Sequence, residues 1–450
     1  MSNLPPKQVS ASISHDHALF TLPHQSHLSI NQKQAKTQAD SKAAGIIESH
    51  KEKTMKNTNA KSTNLPLILL IASLAAVILG GVYLVFNLHT PNQNNGSASL
   101  AVETAPPEPT VPVLAPVEPT APPEPTPAPT AVPAVDPVDF VNSIIDPNQY
   151  RTWISQLSGE ESVLINGQES KIDTRYSYAM FSGQNNAKAH EYMLQTIRQF
   201  IPEEQITVEP YTYVDGMGAN TWYNIIVTFP GQTHPEQQVL FTAHYDSCVV
   251  FEGNPLEYAP GANDNGTGVA TLLEALRAFN QMKFGKTLKL VFFTGEENFQ
   301  QGSKAYVEQH AGDQIVGVIN MDMFGTDKDG DRCLELYVGG LTGSQELANL
   351  FLNTIQKHQL NLKADYLISN AYDLADQKSF WEKEIAAITV MENFLPDYSP
   401  GGCETGMDRT DHWHLPGDKL EAVNLEYAFD IGRAGIYTVL ELAEAQPVTR

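Results

Sequence analysis

Cysteine is nearly absent. Cys248, Cys333 and Cys403 are the only three in 450 residues, and they form no paired metal-binding or redox motif. That excludes a disulfide-stapled scaffold and a cysteine-ligated structural zinc site, and leaves room for at most one internal disulfide. Basic residues are also scarce. Lys and Arg number 28 against 52 Asp and Glu, for a net charge of -24. A phosphate-binding face needs the opposite sign, so nucleic acid is excluded as a partner. The acidic field favours cationic or neutral substrates.

What is present is unevenly distributed. Residues 1–64 are rich in Gln, Ser, Asn, Lys and His without a sustained apolar period, as expected of a disordered tail. This tail carries a net charge of +4, so the remainder of the chain carries -28. Leu65–Phe86 (LPLILLIASLAAVILGGVYLVF) then runs without a charge. At 1.5 Å rise per residue it makes a helix of roughly 33 Å, enough to cross a hydrocarbon core of about 30 Å. Lys51, Lys53, Lys56 and Lys61 precede it, and no Lys or Arg follows until Arg151. The positive-inside rule therefore predicts a single-pass signal-anchor in a cell membrane, with residues 1–64 cytoplasmic and everything after the helix outside. Residues 87–137 are polar, then Pro-rich (APPEPTVPVLAPVEPTAPPEPTPAPTAVPAVDP), which predicts an extended extracytoplasmic linker.

From 138 to 450 strand-like and amphipathic helical patterns alternate. Helices are expected at Ala187–Phe200, Val269–Phe279, Ser303–His310, Ser344–His358 and Leu425–Ala445. Strands are expected at Ile206–Val214, Trp222–Phe229, Gln238–Ala243, Leu288–Phe293, Ile315–Met321 and Ala386–Met391. The pattern predicts one α/β domain with a mostly parallel, twisted mixed sheet flanked by helices on both faces. In open sheets of that kind, chemistry gathers at the carboxyl ends of the strands.

Five chemistry-bearing clusters fall in this domain. His244-Tyr-Asp246 closes an apolar strand. Residues two apart share a face, so Asp246 can accept one ring N–H of His244 while the other nitrogen binds a metal. GANDNGTG (261–268) turns tightly into a helix and carries Asp264, which in isolation would more often be a helix cap. Glu296 and Glu297 follow the apolar strand LKLVFFTG, where two adjacent carboxylates are costly unless a cation compensates them. One can then ligate while the other works as a base. Asp322 interrupts the apolar run IVGVINMDMFG. Finally, DHWHLPGD (411–418) offers His412 or His414. Nitrogen and oxygen donors without cysteine suit a catalytic rather than a structural zinc site.

With these motifs in order, residues 149–445 resemble the secreted and membrane-bound two-zinc aminopeptidases, a family that includes glutamate carboxypeptidases and glutaminyl cyclases. The resemblance begins at Arg175-Tyr176 and SGQNNAKAHEYML, and continues through AHYDS, PGANDNGTGVA, FFTGEE, INMDMFG and HLPGD. It implies two zinc ions. His244 and Asp322 would bind one, Glu297 and His414 the other, and Asp264 would bridge them. His414 is preferred to His412 because it begins the H-x-x-x-D pattern that ends at Asp418. Glu296 would be the general base and Asp246 would orient His244. The implied activity is a zinc-dependent exopeptidase, an aminopeptidase acting on peptides or proteins with a free N-terminus. A carboxypeptidase, a one-zinc glutaminyl cyclase and a non-catalytic receptor on the same fold are the alternatives. The sequence departs from the pattern at Gln377, where the family often has a histidine, and at Glu384, where it has a glycine. A thiolate ligand from Cys248 would be off-pattern.

Overall fold

The computed structural model describes residues 134–177, 186–215, 218–368, 371, 374–394, 403 and 409–449. The expected tail, membrane helix and most of the linker lie outside the described residues. Among the described residues no helix is long and apolar enough to cross a membrane.

The strands, in chain order, are β1 (Ala134–Val135), β2 (Val163–Ile165), β3 (Gln168–Ser170), β4 (Ile206–Asp215), β5 (Gly218–Phe229) and β6 (Gly231–His244). They continue with β7 (Phe284–Phe293), β8 (Gln314–Met321), β9 (Cys333–Tyr337), β10 (Lys363–Leu367), β11 (Ala387–Glu392) and β12 (Val448–Thr449). The helices are α1 (Pro137–Asn142), α2 (Pro147–Leu157), α3 (Ala187–Ile197), α4 (Gly266–Phe279), α5 (Gln301–Gln309), α6 (Thr342–Lys357), α7 (Gln377–Trp381) and α8 (Leu425–Leu442).

Eight strands form one mixed sheet in the order β10-β9-β11-β8-β6-β7-β5-β4. Its centre, β11-β8-β6-β7, is parallel. The β7-β5 and β5-β4 pairings at one margin are antiparallel, as is β9 against β11 near the other. Alternate residues of the central strands serve two cores. Val239, Phe241, Ala243, Leu290, Phe292, Ile319 and Met321 face the layer of α2, α4, α6 and α8. Their neighbours Leu240, Val291, Phe293 and Val318 face α5 and α7, against Tyr306, Val307 and Phe380. A period of two with apolar residues on both sides produces the continuous hydrophobic runs seen in sequence. Fully burying one such side chain contributes about 1.5–3 kcal/mol.

Helix α4 shows how the layers close on the site. Asn265 caps it, its side chain accepting from the Gly268 N–H at 2.9 Å. Gly268 is small by necessity, because a Cβ there would stand 2.5 Å from the Met321 carbonyl of β8. The close approach seats the loop before α4 over the end of the sheet.

Strands β9 and β10 were not anticipated. Each carries a buried acid that breaks the apolar pattern, Glu335 in CLELY and Asp365 in KADYL. Hydrogen-bond donors meet both. Tyr337 Oη and the Phe394 N–H donate to Glu335, and the Cys403 N–H donates to Asp365 at 2.9 Å. Cys333, which opens β9, is joined in a disulfide to Cys403, with Cα atoms 5.8 Å apart. Helices α1 and α2, the short β2–β3 hairpin and α7 were likewise absent from the sequence-based expectation.

Candidate metal centre and active site

The candidate residues converge at the carboxyl ends of the parallel strands. His244 is the last residue of β6. Glu296 and Glu297 lie in the turn after β7, and Asp322 immediately follows β8. Asp264 comes from the loop between β6 and α4, and His414 from the loop before α8. Together they line a cleft of about 210 Å³.

Asp264 is the hub. Its Oδ1 is 3.3 Å from His244 Nε2, and its Oδ2 is 3.4 Å from His414 Nε2. His244 Nε2 is also 3.2 Å from Asp322 Oδ1, while His414 Nε2 is 2.9 Å from Glu297 Oε2. The two imidazoles thus approach opposite oxygens of one carboxylate, each with a further carboxylate at its side. His412, the other histidine of the DHWH segment, is exposed and does not line the cleft. Metal–donor bonds of about 2.0–2.1 Å place two ligands of one tetrahedral ion about 3.3 Å apart. The four imidazole–carboxylate separations cluster near that edge length.

The charge balance also fits a cation. Asp246, Asp264, Glu296, Glu297, Asp322 and Asp376 are all at least nine-tenths buried. Among the described residues no lysine or arginine forms a salt bridge with any of them. Glu297 Oε1 and both oxygens of Asp376 are buried without a hydrogen-bond partner. Burial raises the Glu296 carboxyl well above the usual range, opposed by His244 and reinforced by Asp376, Asp322 and Glu297. Burial alone would lower His414, but Glu297 and Asp264 lift it to about 11. Both directions follow from the density of buried carboxylates here.

A second ring of contacts holds these groups in place. Asp246 does more than face His244, whose Nδ1 lies 3.5 Å away. Its oxygens accept the Glu296 and Glu297 N–H groups at 3.2 and 3.3 Å, tying the β7 turn to β6. Asp418 accepts the Asn263 and Asp264 N–H groups at 2.8 and 3.0 Å, so the last residue of HLPGD fixes the Asp264 loop. Glu392, ending β11, accepts from Asn263 Nδ2, the Thr326 N–H and the Thr410 N–H. Arg175 is completely buried and donates to the carbonyls of Tyr245, Leu157, Pro260 and Gly261 at 2.6–2.9 Å. Gly261 is left-handed (φ 55°), and a Cβ there would lie 2.8 Å from the Arg175 guanidinium. Cys248 donates its thiol proton to Glu297 Oε2 at 3.0 Å. Burial, then the Glu297 charge, pushes that thiol up, so it stands beside the cluster as a neutral thiol.

Sequence reasoning missed Asp376, the residue before Gln377, as a member of this cluster. It also gave no role to Gln300 or Trp413, which line the cleft. An acid in the polar stretch DLADQKS has no strand-end signature, so nothing local distinguished Asp376 from a solvated one.

Part of the chain is similar to a known family. Residues 224–439 match the family described as Peptidase family M28. A "Probable zinc metalloprotease" of Pyrenophora tritici-repentis is 23% identical over 347 residues, covering 67% of this chain and 70% of that protein. A "Probable leucine aminopeptidase" of Trichophyton verrucosum is 24% identical over 316 residues, covering 68% and 79%. Among solved structures, the LapA aminopeptidase of Legionella pneumophila shares the fold, with a TM-score of 0.50 and 18% identity over 68% of this chain and 74% of that one. The segment that matches Peptidase family M28, 224–439, carries every residue of the Asp264 cluster.

Proposed function

We propose that this chain is a two-zinc aminopeptidase that releases N-terminal residues from peptides or proteins. The observation that carries the reading is the convergence of His244 and His414 on the two oxygens of Asp264, at separations near the edge of a tetrahedral zinc site. His244 and Asp322 would hold one ion, Glu297 and His414 the other, and Asp264 would bridge them. Zinc ions, when bound, would supply a water of lowered pKa and polarise the scissile carbonyl.

The remaining work falls to the chain itself. Glu296 takes the proton of the attacking water and returns it to the departing amine. Asp246 orients the His244 ring and fixes the turn that presents Glu296. The surplus of carboxylates attracts the α-ammonium group of the substrate. Phe299, Leu374, Met391, Phe394 and Trp413 supply an apolar wall, which suits a large apolar first side chain.

The same reading places the domain outside the cytoplasm on a single-pass anchor at Leu65–Phe86. The lysine asymmetry around that segment and the Cys333–Cys403 disulfide, a bond that persists in oxidising compartments, support it.

The test is a panel of aminoacyl chromogenic substrates with N-blocked controls, using wild type and Glu296→Gln. Cleavage of unblocked substrates alone, lost by about 10²–10⁴-fold in Glu296→Gln, is the expected result. Equal cleavage of blocked substrates would refute the N-terminal specificity. Conversion of an N-terminal glutamine to its cyclic form without residue release would replace the hydrolase reading with a cyclase.

A further inference from the structure

Gln300 belongs to the turn that follows Glu296 and Glu297, and it is 5% exposed in the wall of the cleft. Its side-chain Nε2 donates to Glu296 Oε1 at 3.2 Å and to the Leu374 carbonyl. Both neighbours are acceptors only, if Glu296 is to serve as a base, so the amide must present its NH₂ to them and not its oxygen. The main chain grips the same residue from the other end, the Gln300 N–H donating to the Glu296 carbonyl at 2.8 Å. Phe299 and Gln300 are both left-handed, with φ of 68° and 56°. Two consecutive non-glycine residues in that region are held only where their surroundings over-determine them. Here the bond from the Gln301 N–H to the Gly295 carbonyl at 2.9 Å closes the turn, and Gln300 spends its side chain on the carboxyl within it.

We infer that Gln300 is a positioning residue for Glu296: its amide holds one carboxyl oxygen, cross-links it to the cleft wall at Leu374, and leaves the other oxygen for proton transfer. The inference rests on Glu296 acting as the general base. Leu374 is 45% exposed and lines the same cleft, so the cross-link joins the base to the surface on which the substrate is laid. Without it the Glu296 side chain gains rotamer freedom, and the fraction of time it spends in the productive geometry falls.

The experiment uses the full chain in detergent, with a chromogenic aminoacyl substrate that wild type cleaves. Gln300→Met keeps length and volume but removes the donor. Gln300→Glu keeps shape but turns an acceptor toward Glu296. Both variants should lose about 10- to 100-fold in kcat with KM within about twofold of wild type, as expected for a hydrogen bond to a charged group that matters in the transition state. Bound zinc and the unfolding temperature of Gln300→Met should equal those of wild type, which separates positioning from folding. Adding Gln300→Met to Glu296→Asp, whose shortened carboxyl no longer reaches the amide, should cost nothing further. Wild-type kcat in Gln300→Met, a rise in KM alone, or a full multiplicative loss in the Glu296→Asp background would overturn the inference while leaving the aminopeptidase reading intact. A wild type that cleaves no unblocked substrate, and behaves as Glu296→Gln does, would remove the base itself and with it any role for Gln300.

Discussion

Replacing Arg175 by methionine should destabilise the domain strongly. The guanidinium makes four charge-assisted hydrogen bonds, to the carbonyls of Tyr245, Leu157, Pro260 and Gly261. A bond of that kind is worth about 1.5–3 kcal/mol, and a buried acceptor left without a partner costs about 1–3 kcal/mol. Summed independently the four would exceed about 6 kcal/mol, but they share one side chain and are not additive. There is also an offset. Burial pushes the Arg175 pKa down to about 10 against the pull of Asp418, Asp264, Asp246 and Glu297, so the native state already bears a desolvation cost that methionine would relieve. A net loss of about 3–5 kcal/mol is expected, against a typical total of about 5–15 kcal/mol. Arg175→Lys keeps the charge but has only three donors on a point-like head, and should lose about half as much. Urea unfolding at neutral pH, followed by far-ultraviolet circular dichroism, reads both variants. Because Pro260 and Gly261 lead directly to Asp264, zinc affinity should fall as well, by about 10- to 100-fold. An Arg175→Met protein within about 1 kcal/mol of wild type would show instead that water replaces the guanidinium at these carbonyls.

Three further outcomes are expected. Asp246→Asn presents an NH₂ toward the Glu296 and Glu297 N–H groups that the carboxylate now accepts, and should lower activity or zinc affinity about 10- to 100-fold, read by turnover and by competition with a chelator. Cys333→Ala opens a loop spanning 70 residues, and loop-closure entropy gives a loss of about 4 kcal/mol, measurable by urea unfolding with and without reductant. His310 is bound by Glu209 at 2.9 Å and Asp313 at 2.8 Å, and the Glu209 bond foremost raises its pKa. A raised folded-state pKa means that this stabilisation is complete below the unfolded value and fades as pH rises through the folded one. His310→Gln should therefore be less stable than wild type below about pH 6, by at most about 1 kcal/mol, with the gap closing at higher pH.

The motifs were legible because an α/β sheet delivers loop chemistry at strand ends, and because an acid or histidine inside an apolar run is costly to bury unless a cation or a polar partner meets it. His244, Asp322 and the Glu296-Glu297 pair each follow such a run, and each marks its own strand. The central strands were readable for the same reason, since residues such as Phe241 and Leu240 are apolar on both faces. Strands β9 and β10 were not, because Glu335 and Asp365 accept from the N–H groups of Phe394 and Cys403, which only the tertiary fold brings near. Asp376, Gln300 and the four-carbonyl clasp of Arg175 were hidden likewise. Their signals lie in contacts spanning many tens of residues, such as Arg175 with Gly261 or Gln300 with Leu374, and not in any local period. The choice of His414 over His412 sits between these cases. Its H-x-x-x-D spacing was visible, and the fold turns His414 toward Asp264 while leaving His412 at the surface.

Counting bound zinc distinguishes a site for two ions bridged by Asp264 from any other arrangement. The purified chain would be stripped with chelator, titrated with zinc, and assayed by mass spectrometry for bound metal alongside turnover of an unblocked aminoacyl substrate. Two equivalents per chain are expected, with activity returning as they bind, and tight binding of both is lost in Asp264→Ala. Saturation at one equivalent, or two that persist without Asp264, would contradict the bridged site.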